Sequence, residues 1–111
     1  MEQLTVRQAQ ARVDQWIGTY GVRYFSELTN TVLLMEEVGE MARIIARTYG
    51  EQSSKAGDAS SDDLADEMAD VFWVLLCLAN QTGIDLADAF EKNMRKKTLR
   101  DSERHIHNKK L

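Results

Sequence analysis

The sequence predicts an all-α protein, an antiparallel four-helix bundle, on three observations. The 111 residues include no proline and only 6 glycines, whereas a β sandwich needs many turn residues. Apolar residues recur at spacings of three and four, the period of a helix face. No stretch makes a convincing strand. The length suits one domain over residues 1–111, and 43% hydrophobic with 29% charged residues is globular composition.

Val6, Ala9, Val13, Trp16, Ile17 and Tyr20 line one face of a first helix. It starts near Thr5 and stops near Gly18 or Gly21. Tyr24 and Phe25 follow as core anchors. Ser26 is a suitable N-cap for a second helix and Gly50 a suitable stop. Residues 51–61, small and polar, read as a solvated flexible loop within the single domain. Ser60 or Ser61 caps a third helix that runs to about Gln81, and Thr82-Gly83 breaks it. Asp85, with Asp88 three residues on, caps a fourth helix that reaches at least Arg100. A basic C-terminal tail covers about 101–111.

The charge is uneven. The net charge is -4, yet residues 92–111 hold 8 of the 14 basic side chains and 2 of the 18 acidic ones. This segment is either a solvated helix or a surface that meets an anion. With a pI near 5.1 and no nucleic-acid-binding motif, nucleic acid is a poor partner. No apolar run approaches the roughly twenty residues of a membrane span, and Met1 leads into polar residues without a signal-peptide core. The single cysteine, Cys77, lies in an apolar run and suits a buried, reduced thiol. These features predict a cytoplasmic chain that binds no membrane.

Several carboxylates occupy positions where packing prefers apolar residues. With Leu33 at 0° and about 100° per residue, Leu34, Val38, Met41, Ile44 and Ile45 cover roughly 20–140°. Glu37 falls inside that sector at about 40°, Glu40 at its edge, and Glu36 one step further round. In the third helix every residue from Met68 to Ala79 is apolar except Asp70, with Glu67 three residues before it. A helix apolar all round is buried on most sides, so an aspartate within it is paired, protonated or bound to a cation. Two acidic clusters on neighbouring helices suit Mg²⁺, with Mn²⁺ as the other hard-cation option. Zinc is a poor fit without a Cys/His cluster, and a di-iron centre lacks its Glu-x-x-His.

Glu36-Glu37-x-x-Glu40 followed by Glu67-x-x-Asp70 resembles the EExxE…ExxD signature of the MazG-like nucleoside triphosphate pyrophosphohydrolases, in the all-α NTP pyrophosphatase superfamily. The resemblance extends over most of the chain. The tail Asn93-x-x-Lys96-Lys97-Thr98-x-Arg100-Asp101 looks like that of the compact single-domain, YpjD-type branch. The resemblance implies hydrolysis of NTP or dNTP between the α and β phosphates, giving a monophosphate and pyrophosphate, and a role in nucleotide-pool sanitation. It implies that Glu37, Glu40, Glu67 and Asp70 hold Mg²⁺, while Glu36 orients or deprotonates the attacking water.

Such an acidic site would repel a triphosphate without further cations. Lys96 and Arg100 are expected to contact phosphate, with Lys97 beside them and Asn93 fixing phosphate or sugar geometry. Trp16, Tyr24, Phe25 and Trp73 are read as core in preference to base-stacking residues. Family members assemble as dimers or tetramers, so a homodimer or homotetramer with helices packed across subunits is expected. The alternatives are a catalytically inactive nucleotide- or metal-binding regulator with the same fold, and a purely structural helical module. Some close members carry aromatic residues where Lys97 and His105 stand, so base preference does not transfer.

Overall fold

The computed structural model describes residues 3–53 and 61–111. Four α-helices carry it, with no strand among the described residues: α1 (Val6–Trp16), α2 (Glu27–Thr48), α3 (Ser61–Gln81) and α4 (Leu86–Asp101). Most of the expected loop, and Ser60 as a cap, lie outside the described residues.

The helix starts follow local chemistry. Thr5 and Gln8 form a capping box, each side chain bonding the other's backbone N–H at 3.1 and 2.7 Å. Ser26 accepts from Thr29 N at 3.2 Å and Asp85 from Asp88 N at 3.2 Å, as expected of both caps. The first helical stretch ends at Gly21, one of the two expected stops, but its last turn has a different geometry. Beyond Trp16 the chain continues as a π-helical turn, Ile17–Gly21. It then reverses at Val22, whose φ of 70° and ψ of -59° close a γ-turn with Arg23 N bonded to Gly21 O at 2.8 Å. Positive φ is strained for a β-branched residue, and nothing in the sequence signals it.

Three helices make the body. α3 is the centre, with α2 packed along one side and α1 on another. The core joins Ala9 and Val13 of α1 to Leu76 and Cys77 of α3, with Ile17, Tyr24, Trp73 and Leu86 packed around them. Cys77 is a free, buried thiol, and burial raises its pKa. Tyr24 does anchor the core: its hydroxyl donates to Asp14 at 2.7 Å and accepts from Asn80 Nδ2 at 3.0 Å. Burial, then the Asp14 hydrogen bond, pushes its pKa up to about 12. Phe25 is no core anchor; the residue, just before the Ser26 cap, is 58% exposed. Trp16 is also partly exposed and meets Trp73 edge-on, with ring centres 5.2 Å apart.

The fourth helix does not join the bundle within one chain. It is tied to α1 through its first turn, where Arg7 pairs with Asp85 at 2.8 Å and Asp88 at 2.6 Å. Residues 91–100 are exposed throughout. α3 is likewise less enclosed than its composition predicts, since Met68, Phe72 and Leu75 form an open stripe. α2 carries a matching open stripe of Leu28, Val32 and Met35. No described helix is long and apolar enough to cross a membrane.

Candidate active site

The α2–α3 interface brings together three of the expected acids. Glu37 from the packed face of α2 meets Glu67 and Asp70 from α3, and one carboxylate oxygen of each lies within 4.8 Å of the others. The positions follow from helix geometry. Glu37 falls between Leu33, Leu34, Val38 and Met41 on the face turned to α3, and Glu67 and Asp70 are three apart, on one side of α3. All three are partly shielded from solvent.

The electrostatics match a cation site. Burial, a side-chain hydrogen bond shared with Glu37, and the charges of Glu37, Asp70 and Glu40 hold the Glu67 carboxyl above its ordinary pKa. Glu67 Oε2 is buried and has no hydrogen-bond partner among the described residues. An orphaned buried oxygen is costly, and a divalent cation coordinated by oxygen would satisfy it and remove the repulsion. The donor set of three carboxylates therefore fits a hard cation.

The other expected residues stand apart. Glu40 is exposed and pairs with Arg43 at 3.4 Å, although its charge reaches Glu67. Glu36 is exposed on the neighbouring face. Asn93, Lys96, Lys97 and Arg100 lie on the exposed length of α4. No described hydrogen bond or ion pair links them to the acids. Arg100 instead pairs with Asp101 at 2.8 Å, and Asp101 also holds Arg104 at 3.3 Å.

A cavity of about 580 Å³ adjoins the acids and shares Asp70 with them. Trp16, Trp73, Tyr24 and Phe25 contribute to its wall, and the π-turn and γ-turn form its rim through Ile17, Gly21 and Arg23. The sequence assigned these aromatics to a closed core. Tyr24 and Trp73 do pack against the core, while Trp16 and Phe25 stay largely exposed beside it. Asn30 also lines the cavity and was missed. A signal existed: on the wheel used for Glu37, Asn30 falls at about 60°, inside the apolar sector.

The chain belongs to the MazG nucleotide pyrophosphohydrolase family, whose family model, the MazG nucleotide pyrophosphohydrolase domain, matches residues 25–105. It is a nucleotide pyrophosphohydrolase. Among its relatives, YpjD of Bacillus subtilis (strain 168) is 39% identical over 104 residues, covering 94% of this chain and 93% of that protein. The crystal structure of Bacillus subtilis YpjD superposes with a TM-score of 0.78 at 40% identity, over 86% of this chain and 97% of that one. The crystal structure of a Bacillus-conserved MazG protein, a nucleotide pyrophosphohydrolase, gives a TM-score of 0.76 at 36% identity, over 94% and 100%.

Proposed function

We propose that this enzyme is a Mg²⁺-dependent nucleoside triphosphate pyrophosphohydrolase. It converts an NTP or dNTP and water into the monophosphate and pyrophosphate by breaking the bond between the α and β phosphates. The observation that carries this reading is the convergence of Glu37, Glu67 and Asp70, one carboxylate oxygen of each within 4.8 Å of the others, with a buried, unpartnered oxygen on Glu67.

Glu37, Glu67 and Asp70 would hold the cation, with Glu40 completing the set from the next turn of α2. When bound, Mg²⁺ neutralises phosphate oxygens and eases deprotonation of water. Glu36, exposed and adjacent, takes the proton of the attacking water. Lys96 and Arg100 grip phosphate, Lys97 flanks them and Asn93 fixes phosphate or sugar geometry. Because α4 stands clear of the acids in one chain, this grip calls for assembly as a homodimer or homotetramer, with the open stripes of α2 and α3 buried between subunits. The setting is the cytoplasm, and the role is sanitation of the nucleotide pool.

Incubation with Mg²⁺ and a panel of standard and modified NTPs and dNTPs, with products resolved by chromatography, tests the reaction. The expected products are monophosphate and pyrophosphate, lost in Glu37→Gln. Diphosphate with orthophosphate, or no turnover across the panel, would overturn the reading.

A further inference from the structure

The cavity beside the acids contains one polar group whose orientation is dictated by its neighbours. Asn30 is 5% exposed, the one buried polar residue among those described. The carbonyl oxygen of Phe25 can only accept hydrogen bonds. It receives Gln81 Nε2 at 2.8 Å and Asn30 Nδ2 at 3.4 Å. Gln81 therefore presents Oε1 to Asn30, and accepts from the same Nδ2 at 2.8 Å. Both Asn30 amide hydrogens are consumed, so neither amide can flip without setting oxygen against oxygen. Asn30 Oδ1 is left as a fixed acceptor, and among the described residues no group donates to it.

Oδ1 is not buried, so it stays open to the cavity that Asn30 lines, a cavity walled by aromatic rings. Aromatic walls with one or two placed polar groups suit a flat heterocycle. Asp70 belongs both to this wall and to the acid cluster. A nucleoside seated here would therefore direct its phosphates toward Glu37 and Glu67.

We propose that this cavity seats the nucleoside and that Asn30 determines base specificity, its Oδ1 accepting a hydrogen bond from an N–H of the base. The proposal rests on the triphosphate reading of the neighbouring carboxylates. Gln81 is a positioning residue that keeps the Asn30 oxygen turned inward. A base lacking an N–H at that point leaves the acceptor unpaired and is rejected, the stronger kind of discrimination available to a binding site.

The test uses nucleosides without phosphates, so it is independent of metal and hydrolysis. The chain has 2 tryptophans, and both Trp16 and Trp73 belong to the cavity wall. Their fluorescence therefore reports occupancy. The full-length protein is titrated with three pairs that each differ at one N–H-bearing group: cytidine and its analogue with hydrogen in place of the 4-amino group, adenosine and purine riboside, uridine and N3-methyluridine. In at least one pair the parent is expected to bind ~10-fold more tightly than its analogue. Asn30→Ala should bring that ratio close to one, weakening the parent and relieving the penalty on the analogue. Gln81→Met should lower the ratio while retaining binding. Where a thermal melt shows Asn30→Ala unfolded, Asn30→Ser replaces it. Equal affinities within all three pairs, or a ratio that survives loss of Asn30, overturns the proposal. Triphosphate hydrolysis without any nucleoside-induced fluorescence change overturns it too, and leaves the carboxylate reading intact. Nucleoside binding with the expected ratio but no hydrolysis does the converse.

Discussion

Glu37 on α2 and Glu67 on α3 bring carboxylate oxygens within 4.8 Å of each other across the helix interface, and burial, then the neighbouring Glu37, holds the Glu67 carboxyl above its ordinary pKa. A group whose pKa is raised on folding stabilises the native state while protonated. That contribution is complete below the unfolded value, about 4.5, and is lost as pH rises through the folded value. The metal-free protein should therefore lose thermal stability above pH 4.5 by an amount that Glu67→Gln removes. Mg²⁺ should restore it at neutral pH, since a ligand at one hundred times its Kd adds about 2.7 kcal/mol. Thermal melts of both proteins from pH 4 to 8, with and without Mg²⁺, read this directly. Equal Mg²⁺ shifts in the parent and in Asp70→Asn would contradict it.

Gln10 fastens α1 to the turn between α3 and α4. Its Nε2 donates to Ile84 O at 2.8 Å and Asn80 Oδ1 at 3.0 Å, and its Oε1 accepts from Leu86 N at 2.9 Å. Gln10→Ala should cost about 2 kcal/mol, because partly buried backbone groups lose their partners. Arg7→Ala removes only exposed ion pairs with Asp85 and Asp88 and should be milder. Urea denaturation of the two variants sets the order.

Val22 is 89% exposed with φ at 70°. Glycine there surrenders almost no packing and relieves a strain of roughly 1–2 kcal/mol. Val22→Gly should be neutral or stabilising by about 1 kcal/mol, against the usual glycine cost. A clear fall in Tm would show that the γ-turn is not the strained element described.

Phe72 lies in the open apolar stripe of α3, 42% exposed in the single chain. Its replacement by aspartate should dissociate the proposed assembly with little change in helical content. Sedimentation should give the wild type a multiple of 12.7 kDa and the Phe72→Asp protein that single mass. A wild type already at the single mass would remove the case for assembly.

Much of the fold was legible because it depends on local rules. The helix-starting roles of Ser26 and Asp85 are properties of side chains reaching neighbouring N–H groups. Glu37 and Asp70 were conspicuous because a helix period places them among apolar residues. The cavity was less legible. Trp16 and Phe25 have the composition of core residues, yet they stay largely exposed at an open wall. Asn30 was visible on the wheel as a polar intruder, yet its meaning depends on Gln81 and on the carbonyl of Phe25, which no period connects to it.

By itself, then, the sequence determined the helical class, the caps, the paired acids and the family resemblance, since each rests on spacing within one helix or on an ordered motif. Tertiary structure alone decided which acids meet, that α4 stands apart from them within one chain, and that Asn30 presents an oxygen where a base could lie. Those outcomes depend on distances between segments far apart in the chain. Such distances are set by how α1, α2 and α3 pack and by a strained turn at Val22, and no local periodicity encodes them.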